Sequence, residues 1–235
     1  MASKRIGTVR PADLEGPRIY VLAGVNGAGK SSVLGAAMRA AGGRYYNPDE
    51  AARQILEHAP ALGVRAANAE AWEVGRRHLV RAIEEGLTYA FETTLGGRTI
   101  TDLLLAALRA GREVHMRYVG LDGLERHIAR VRTRVAAGGH DIAESTIRQR
   151  YVSSRANLLS LLPHLTFLEI YDNTSEASPG AGVAPEPVLL LCMEGGRITS
   201  MAPLDSIPEW AKPIVMAAMS MQPGGLGPPS GGPGQ

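Results

Sequence analysis

An α/β fold with a mostly parallel central sheet around a phosphate-binding loop is predicted by three features of this 235-residue chain. Gly24, four intervening residues, then Gly29, Lys30 and Ser31 match the pattern GxxxxGK[ST] inside RIYVLAGVNGAGKSS (18–32). An apolar run, Ile19 to Ala23, precedes this loop, and an Ala-, Leu- and Met-rich stretch, Ser32 to Ala41, follows it, so the order is strand, loop, helix. Downstream, strand-like and helix-like segments alternate, which implies a parallel sheet. These features define the three-layer P-loop NTPase class, extended here by an arginine-rich helical lid and a C-terminal hairpin.

The loop carries the first functional expectation. Glycines allow successive backbone N–H groups to turn inward on a phosphate chain, and the following helix presents its positive end to the same anion. Gly24, Asn26, Gly27, Ala28, Gly29, Lys30, Ser31 and Ser32 are therefore the expected nucleotide-binding residues. Lys30 would reach the β- and γ-phosphates, and Ser31 would place its hydroxyl on Mg²⁺. Lysine usage agrees: of 25 basic Lys and Arg residues only Lys4, Lys30 and Lys212 are lysines.

Composition narrows the class further. The chain suits one α/β domain, with 45% apolar residues for a core and a net charge of only +2. Neither that balance nor any basic tail argues for nucleic acid as a partner. Cys192 is the sole cysteine, so no disulfide within the chain is available. No apolar run approaches the roughly 18 residues of a membrane span, and a cytoplasmic location is expected.

The elements follow in order. Residues 1–17 read as a loose lead-in, residues 18–215 as the kinase-type domain, and residues 216–235, rich in Gly and Pro, as a disordered tail. Gly42 and Gly43 stop the loop helix, and Arg44 to Asn47 reads as a short second strand. Asn47, Pro48 and Glu50 read as N-cap, first residue and N3 acid of the next helix. Ala67 to Glu85 carries Trp72, Leu79, Val80 and Ile83 at helical spacing and ends at Gly86. Leu87 to Phe91 is a strand closing on Glu92, Thr93 and Thr94; Ile100 to Ala110 is a helix; Val114 to Val119 is a strand. Asp122 with Glu125, and Asp141 with Glu144, read as capping boxes of two helices that meet at GGHD and form a lid over about 122–162. Phe167 to Tyr171 is a further strand, and Val188 to Met193 with Arg197 to Ser200 forms the terminal hairpin around Gly195 and Gly196.

Several polar residues are placed for chemistry. The chain has no NKxD pattern, as a GTPase would, and no LSGGQ-like signature, so a small-molecule kinase fits best. Asp49, in the first turn of a helix, is the expected general base that orients an acceptor hydroxyl; the bland alternative is a charge complementing the helix dipole. Glu92 ends its strand as a Walker B acid would, holding Mg²⁺ or its water, and Thr93 and Thr94 either contact substrate or cap a helix. Among the lid arginines, Arg134 is the first choice to neutralise the transferred phosphoryl group, followed by Arg148 or Arg150, which cannot point the same way. His58, His78, His115, His127, His140 and His164 lack metal-ligand spacing, and no structural metal is expected.

Taken together, AGVNGAGKSS (23–32), NPDE (47–50), FETT (91–94), YVG (118–120), the Arg130 to Arg150 segment with GGHD, and YDN (171–173) resemble the zeta toxins of bacterial toxin–antitoxin systems and their P-loop kinase relatives. That resemblance implies an ATP- and Mg²⁺-dependent kinase acting on a hydroxyl of a nucleotide sugar, UDP-N-acetylglucosamine, with an antitoxin covering the ATP site. It implies Lys30 and Ser31 as nucleotide and metal residues, Asp49 as base, Thr94 as a substrate contact, and Arg134 with Arg148 or Arg150 as the phosphate clamp. A housekeeping or antibiotic kinase of the same build and an ATP-dependent binding module are the alternative readings.

Overall fold

The computed structural model describes residues 17–139, 141–175 and 186–223. Most of the expected lead-in, His140 of GGHD, the loop at 176–185 and the tail from 224 lie outside the described residues. Six strands, β1 (Arg18–Ala23), β2 (Tyr89–Thr93), β3 (Glu113–Gly120), β4 (Phe167–Asp172), β5 (Val188–Glu194) and β6 (Arg197–Met201), form one sheet in the order β2-β1-β3-β4-β5-β6. The first four are mutually parallel, and β5 and β6 add to β4 in antiparallel sense as the hairpin. Parallel strands of this kind are covered on both faces, and every residue of β1 after Arg18 is buried.

The period-two alternation of β1 divides the core. Ile19, Val21 and Ala23 pack with Leu79 of α3 (Val64–Glu85), Leu104 of α4 (Arg98–Arg109), Leu158 of α6 (Glu144–Leu161) and Ile214 of α7 (Lys212–Ser220). Tyr20 and Leu22 face the opposite layer, where Leu34 and Met38 come from a π-helical turn, Lys30–Gly35, and its continuation α1 (Ala36–Ala40). A third cluster joins Val25 of the loop to Ile128 and Val131 of α5 (Leu124–Ala136) and Ile147 of α6. The lid is therefore packed onto the P-loop through its own apolar core, and the second half of α6 belongs to the main core.

Several local expectations are corrected. The strand expected at Arg44 to Asn47 is a single parallel bridge, Tyr46 to Phe91. It stops there because the next residue, Asn47, turns to cap α2 (Pro48–His58), accepting from the N–H groups of Asp49 and Glu50, and Pro48 has no N–H to continue a ladder. The strand expected from Leu87 begins at Tyr89 instead, since the Leu87 N–H still closes the end of α3 on the Ala82 carbonyl; Glu92 and Thr93 lie inside β2. Neither lid helix has its expected capping box. The N-cap of α5 is Gly123, and the Asp122 N–H donates to Thr174 Oγ1 instead, while the N-cap of α6 is Ala143 and Glu144 pairs with Arg132 and Arg148. The tail boundary expected at 216 falls within α7, which buries Ile214, Val215 and Ala218.

Trp210 locks this C-terminal helix to the site's end of the sheet. Its indole N–H donates to Asp172 Oδ1 at 2.8 Å, and its ring lies against Gly120, where an added Cβ would stand 2.6 Å from the ring. Both partners are rigid, so the clash cannot be relieved by a flexible side chain. Gly120→Ala is expected to cost about 1–3 kcal/mol, read as a fall in the urea midpoint at unchanged slope.

Candidate active site

Parallel register brings the chemistry together. Leu22 pairs with Glu92 and Ala23 with Thr93, so the carboxyl ends of β1 and β2 lie side by side just where the loop leaves the sheet. Ser31 Oγ donates to Glu92 Oε2 at 2.7 Å, and Lys30 Nζ lies 3.6 Å from Glu92 Oε1 and 3.3 Å from the Val25 carbonyl. Lys30 and Glu92 are both buried. Burial pushes the Lys30 ammonium below the ordinary lysine range, opposed in part by the charges of Glu92 and Asp49. Asn47 adds a bond that its N-cap reading does not anticipate: its Nδ2 reaches both Glu92 Oε2 and Ser31 Oγ at 3.4 Å. The loop's glycines fit a tight approach: a Cβ on Gly24 would collide with the Val119 carbonyl of β3, and its φ of 146° is one that side-chain-bearing residues rarely adopt.

Asn26 ties the lid to the loop. Its carbonyl accepts from His127 Nδ1 of α5 at 2.8 Å, and its Oδ1 accepts from Arg150 Nη1 of α6 at 2.9 Å. Because a carbonyl can only accept, the His127 proton sits on Nδ1. Asn173, just after β4, donates to the Ala28 carbonyl at 2.9 Å, and its own carbonyl accepts from Arg130 at 2.9 Å. His127, Asn173 and Arg130 are thus site residues that the motif reading did not select; YDN was visible as a motif, but its role follows only from contact with the loop.

The expected arginines separate. Arg134 brings Nη1 to 3.8 Å from Asp49 Oδ2, and its stem passes over Gly139 of GGHD. Arg150 is half-buried, its stem against Gly96, and burial lowers its pKa. Arg148 lies elsewhere: about 200° around α6 from Arg150 at 100° per residue, it pairs with Glu125 and Glu144 at 3.1 and 2.6 Å on the exposed side. Its expected place in the phosphate clamp is corrected on that ground.

Lys30, Ser31, Asp49, Arg130, Arg134 and Arg150 line one cleft of about 780 Å³. The same cleft is walled by Asn68 and Trp72 of α3, Thr93 at the end of β2 and Thr94 just after it, and Thr99 and Ile100 of α4. Thr93 and Thr94 do not cap α4, whose N-cap is Gly97; their hydroxyls accept from the N–H groups of Leu95 and Gly96, leaving each hydroxyl proton to donate. Trp72, which helical spacing aligns with the core residues Leu79 and Ile83, is 42% exposed to the cleft. For a metal, the half-buried Ser31 hydroxyl and the buried Glu92 carboxylate form the hard-oxygen pair that Mg²⁺ uses when phosphate and water supply its other ligands. Among the described residues no group of three or more His, Cys, Asp and Glu could hold a metal ion, and no helix is long and apolar enough to cross a membrane.

Fold and cleft define a kinase-like P-loop protein. The family model described as Zeta toxin matches residues 3–161, and the chain belongs to that family. An uncharacterized protein of Haemophilus influenzae is 34% identical over 128 residues, which cover 54% of this chain and 88% of that protein. Two crystal structures of AvrRxo1-ORF1:-ORF2, one with ATP and one with sulphate ions, share the fold with TM-scores of 0.60 and 0.57 at 15% and 16% identity. Each match covers 88% of this chain and 65% of the other, so the chain spans just under two thirds of their length.

His127 yields a pH test. Burial lowers its pKa to about 4, so the fold holds the neutral ring while the unfolded chain takes up a proton near its ordinary 6.5. The stability from this neutral histidine is complete above about pH 6.5 and is lost as the pH falls towards 4, by up to about 3 kcal/mol. Urea midpoints recorded down to pH 4 should therefore fall more steeply for the wild type than for His127→Gln.

Proposed function

We propose that this protein is an ATP- and Mg²⁺-dependent kinase that transfers the γ-phosphate to a hydroxyl of a small molecule, with a nucleotide sugar such as UDP-N-acetylglucosamine as the acceptor that the family resemblance implies. The single observation that carries the reading is the continuity of the cleft. A P-loop lies at one end, a carboxylate and three arginines lie beside it, and a wall of hydroxyl and amide groups continues from them. The solved relative bound to ATP supports the choice of nucleotide.

Each residue then has a physical role. The loop's N–H groups hold the phosphate chain, and Lys30, already desolvated, gains an anionic partner that offsets its burial. Ser31 and Glu92 would hold Mg²⁺, which when bound supplies neutralising charge at the phosphate oxygens. Asp49 accepts the proton of the acceptor hydroxyl and orients it, which matters more than strong basicity because phosphoryl transfer has a loose transition state. Arg134 and Arg150, with Arg130 behind them, stabilise charge on the transferred group through their planar forks. The family also implies an antitoxin protein as the partner that holds the activity in check.

The test separates a kinase from a nucleotide-dependent binding module. With labelled ATP, Mg²⁺ and a panel of nucleotide sugars and metabolites, Asp49→Ala should lose transfer by at least about 100-fold while the Kd for ATP measured by calorimetry changes less than about threefold. ATP-dependent capture of a partner with no labelled product from the wild type would instead favour the binding module. In the same assay Arg150→Ala should lower kcat by about 10- to 1,000-fold, and Arg148→Ala should leave it within about twofold.

A further inference from the structure

The charges of the cleft are unevenly shared among its elements. The charged groups that line it come from the loop helix, α2, β2, the lid helices and Asp141 between them; α3 and α4 contribute none. On α3, Asn68, Trp72 and Gly75 recur at spacings of four and three and form one stripe facing the cleft. Gly75 is bare because the Tyr46 ring lies where a Cβ would go, 2.7 Å away, and Tyr46 in turn donates its hydroxyl to the Ala71 carbonyl. The stripe is therefore held in place, with an indole as its only large side chain.

The two cations nearest this stripe in sequence are engaged elsewhere. Arg76 is bidentate to Glu73 at 2.8 and 2.6 Å, and Arg77 pairs with Glu70 at 3.2 Å. Neither lines the cleft. Neither α3 nor α4 offers a cation to a diphosphate, whereas a ring with hydroxyl groups would meet an aromatic face together with the donors and acceptors of Asn68, Thr93, Thr94 and Thr99. An indole face over the C–H side of a ring, with a few polar groups at its edge, is the chemistry of a site for an uncharged polyhydroxylated ring.

Building on the kinase reading above, we infer that Trp72 is the platform on which the acceptor's hydroxyl-bearing ring stacks, and that this ring is recognised as an uncharged group, any phosphate attached to it gaining no affinity from the α3 and α4 walls. Trp72 sets acceptor specificity and does not touch the transferred phosphoryl group. Its exposed side chain can be removed without opening the core.

The chain has only two tryptophans, and Trp210 is buried against Gly120, so emission from Trp72 reports directly on the cleft. The full chain, with Mg²⁺ and a non-hydrolysable ATP analogue, is titrated with N-acetylglucosamine and with UDP-N-acetylglucosamine. Both should change the emission with Kd values within about tenfold of each other, and the change should vanish in Trp72→Phe. In the transfer assay Trp72→Ala should raise the acceptor KM by about tenfold or more and leave the ATP KM unaltered. Silence of the emission with both sugars, persistence of the change in Trp72→Phe, or a UDP conjugate bound more than about tenfold tighter than the free sugar would overturn the inference. An emission change without any Asp49-dependent transfer would defeat the kinase reading and leave the stacking intact; transfer insensitive to Trp72→Ala would do the reverse.

Discussion

Everything at this site depends on a buried carboxylate, Glu92, held between a lysine, a serine hydroxyl and an asparagine amide. A carboxylate with so little water around it costs free energy unless its partners are in place, and here they come from two separate parts of the chain, Lys30 and Ser31 of the loop helix and Asn47 before α2. The parallel pairing of β1 with β2 supplies the first requirement by bringing Glu92 level with Leu22, one residue short of the end of β1. The single Tyr46 bridge supplies the second, because it delivers Asn47 to the same spot and starts α2 there, with Asp49 in its first turn. One small cluster therefore sets both the P-loop end of the cleft and the position of the acid beside it.

The lid answers to the same centre. GGHD between two arginine-rich helices reads as a hinge, yet α5 and the start of α6 enclose Val25 in an apolar cluster and converge on Asn26 through His127 and Arg150. Those contacts fasten the lid to the loop. The C-terminal segment, which lies beyond the stretch matched to the family, acts from the other side. Trp210 braces Asp172, the next residue is Asn173, and Asn173 bonds to the loop at Ala28. The loop is thus supported by elements more than 100 residues away.

What was readable in the chain beforehand follows a physical rule. Contacts set by local spacing were legible: the P-loop, the N-cap at Asn47, the strands around 114–119 and 188–200, and the stop of α3 at Gly86. Helix starts were read less well at Asp122 and Asp141, where residues with the right side chains for capping had alternative partners, Thr174 for the Asp122 backbone being the clear case. The strand expected at Arg44 to Asn47 shrinks to one bridge because the cap and proline at its end, both visible in the sequence, leave the ladder no room to extend.

By itself the sequence determined the phosphate-binding loop, the α/β class and the identities of Lys30, Ser31, Asp49 and Glu92, since a glycine pattern between a strand and a helix needs no distant partner to be recognised. Tertiary structure alone decided which arginine lines the cleft, because Arg148 and Arg150 differ only in the side of α6 they occupy and that side acquires meaning when α5 and the loop pack against it. It also decided that Trp72 belongs to the cleft and not to the core. Helical spacing places that indole in line with buried neighbours, yet in the folded chain it is exposed and lines the cleft.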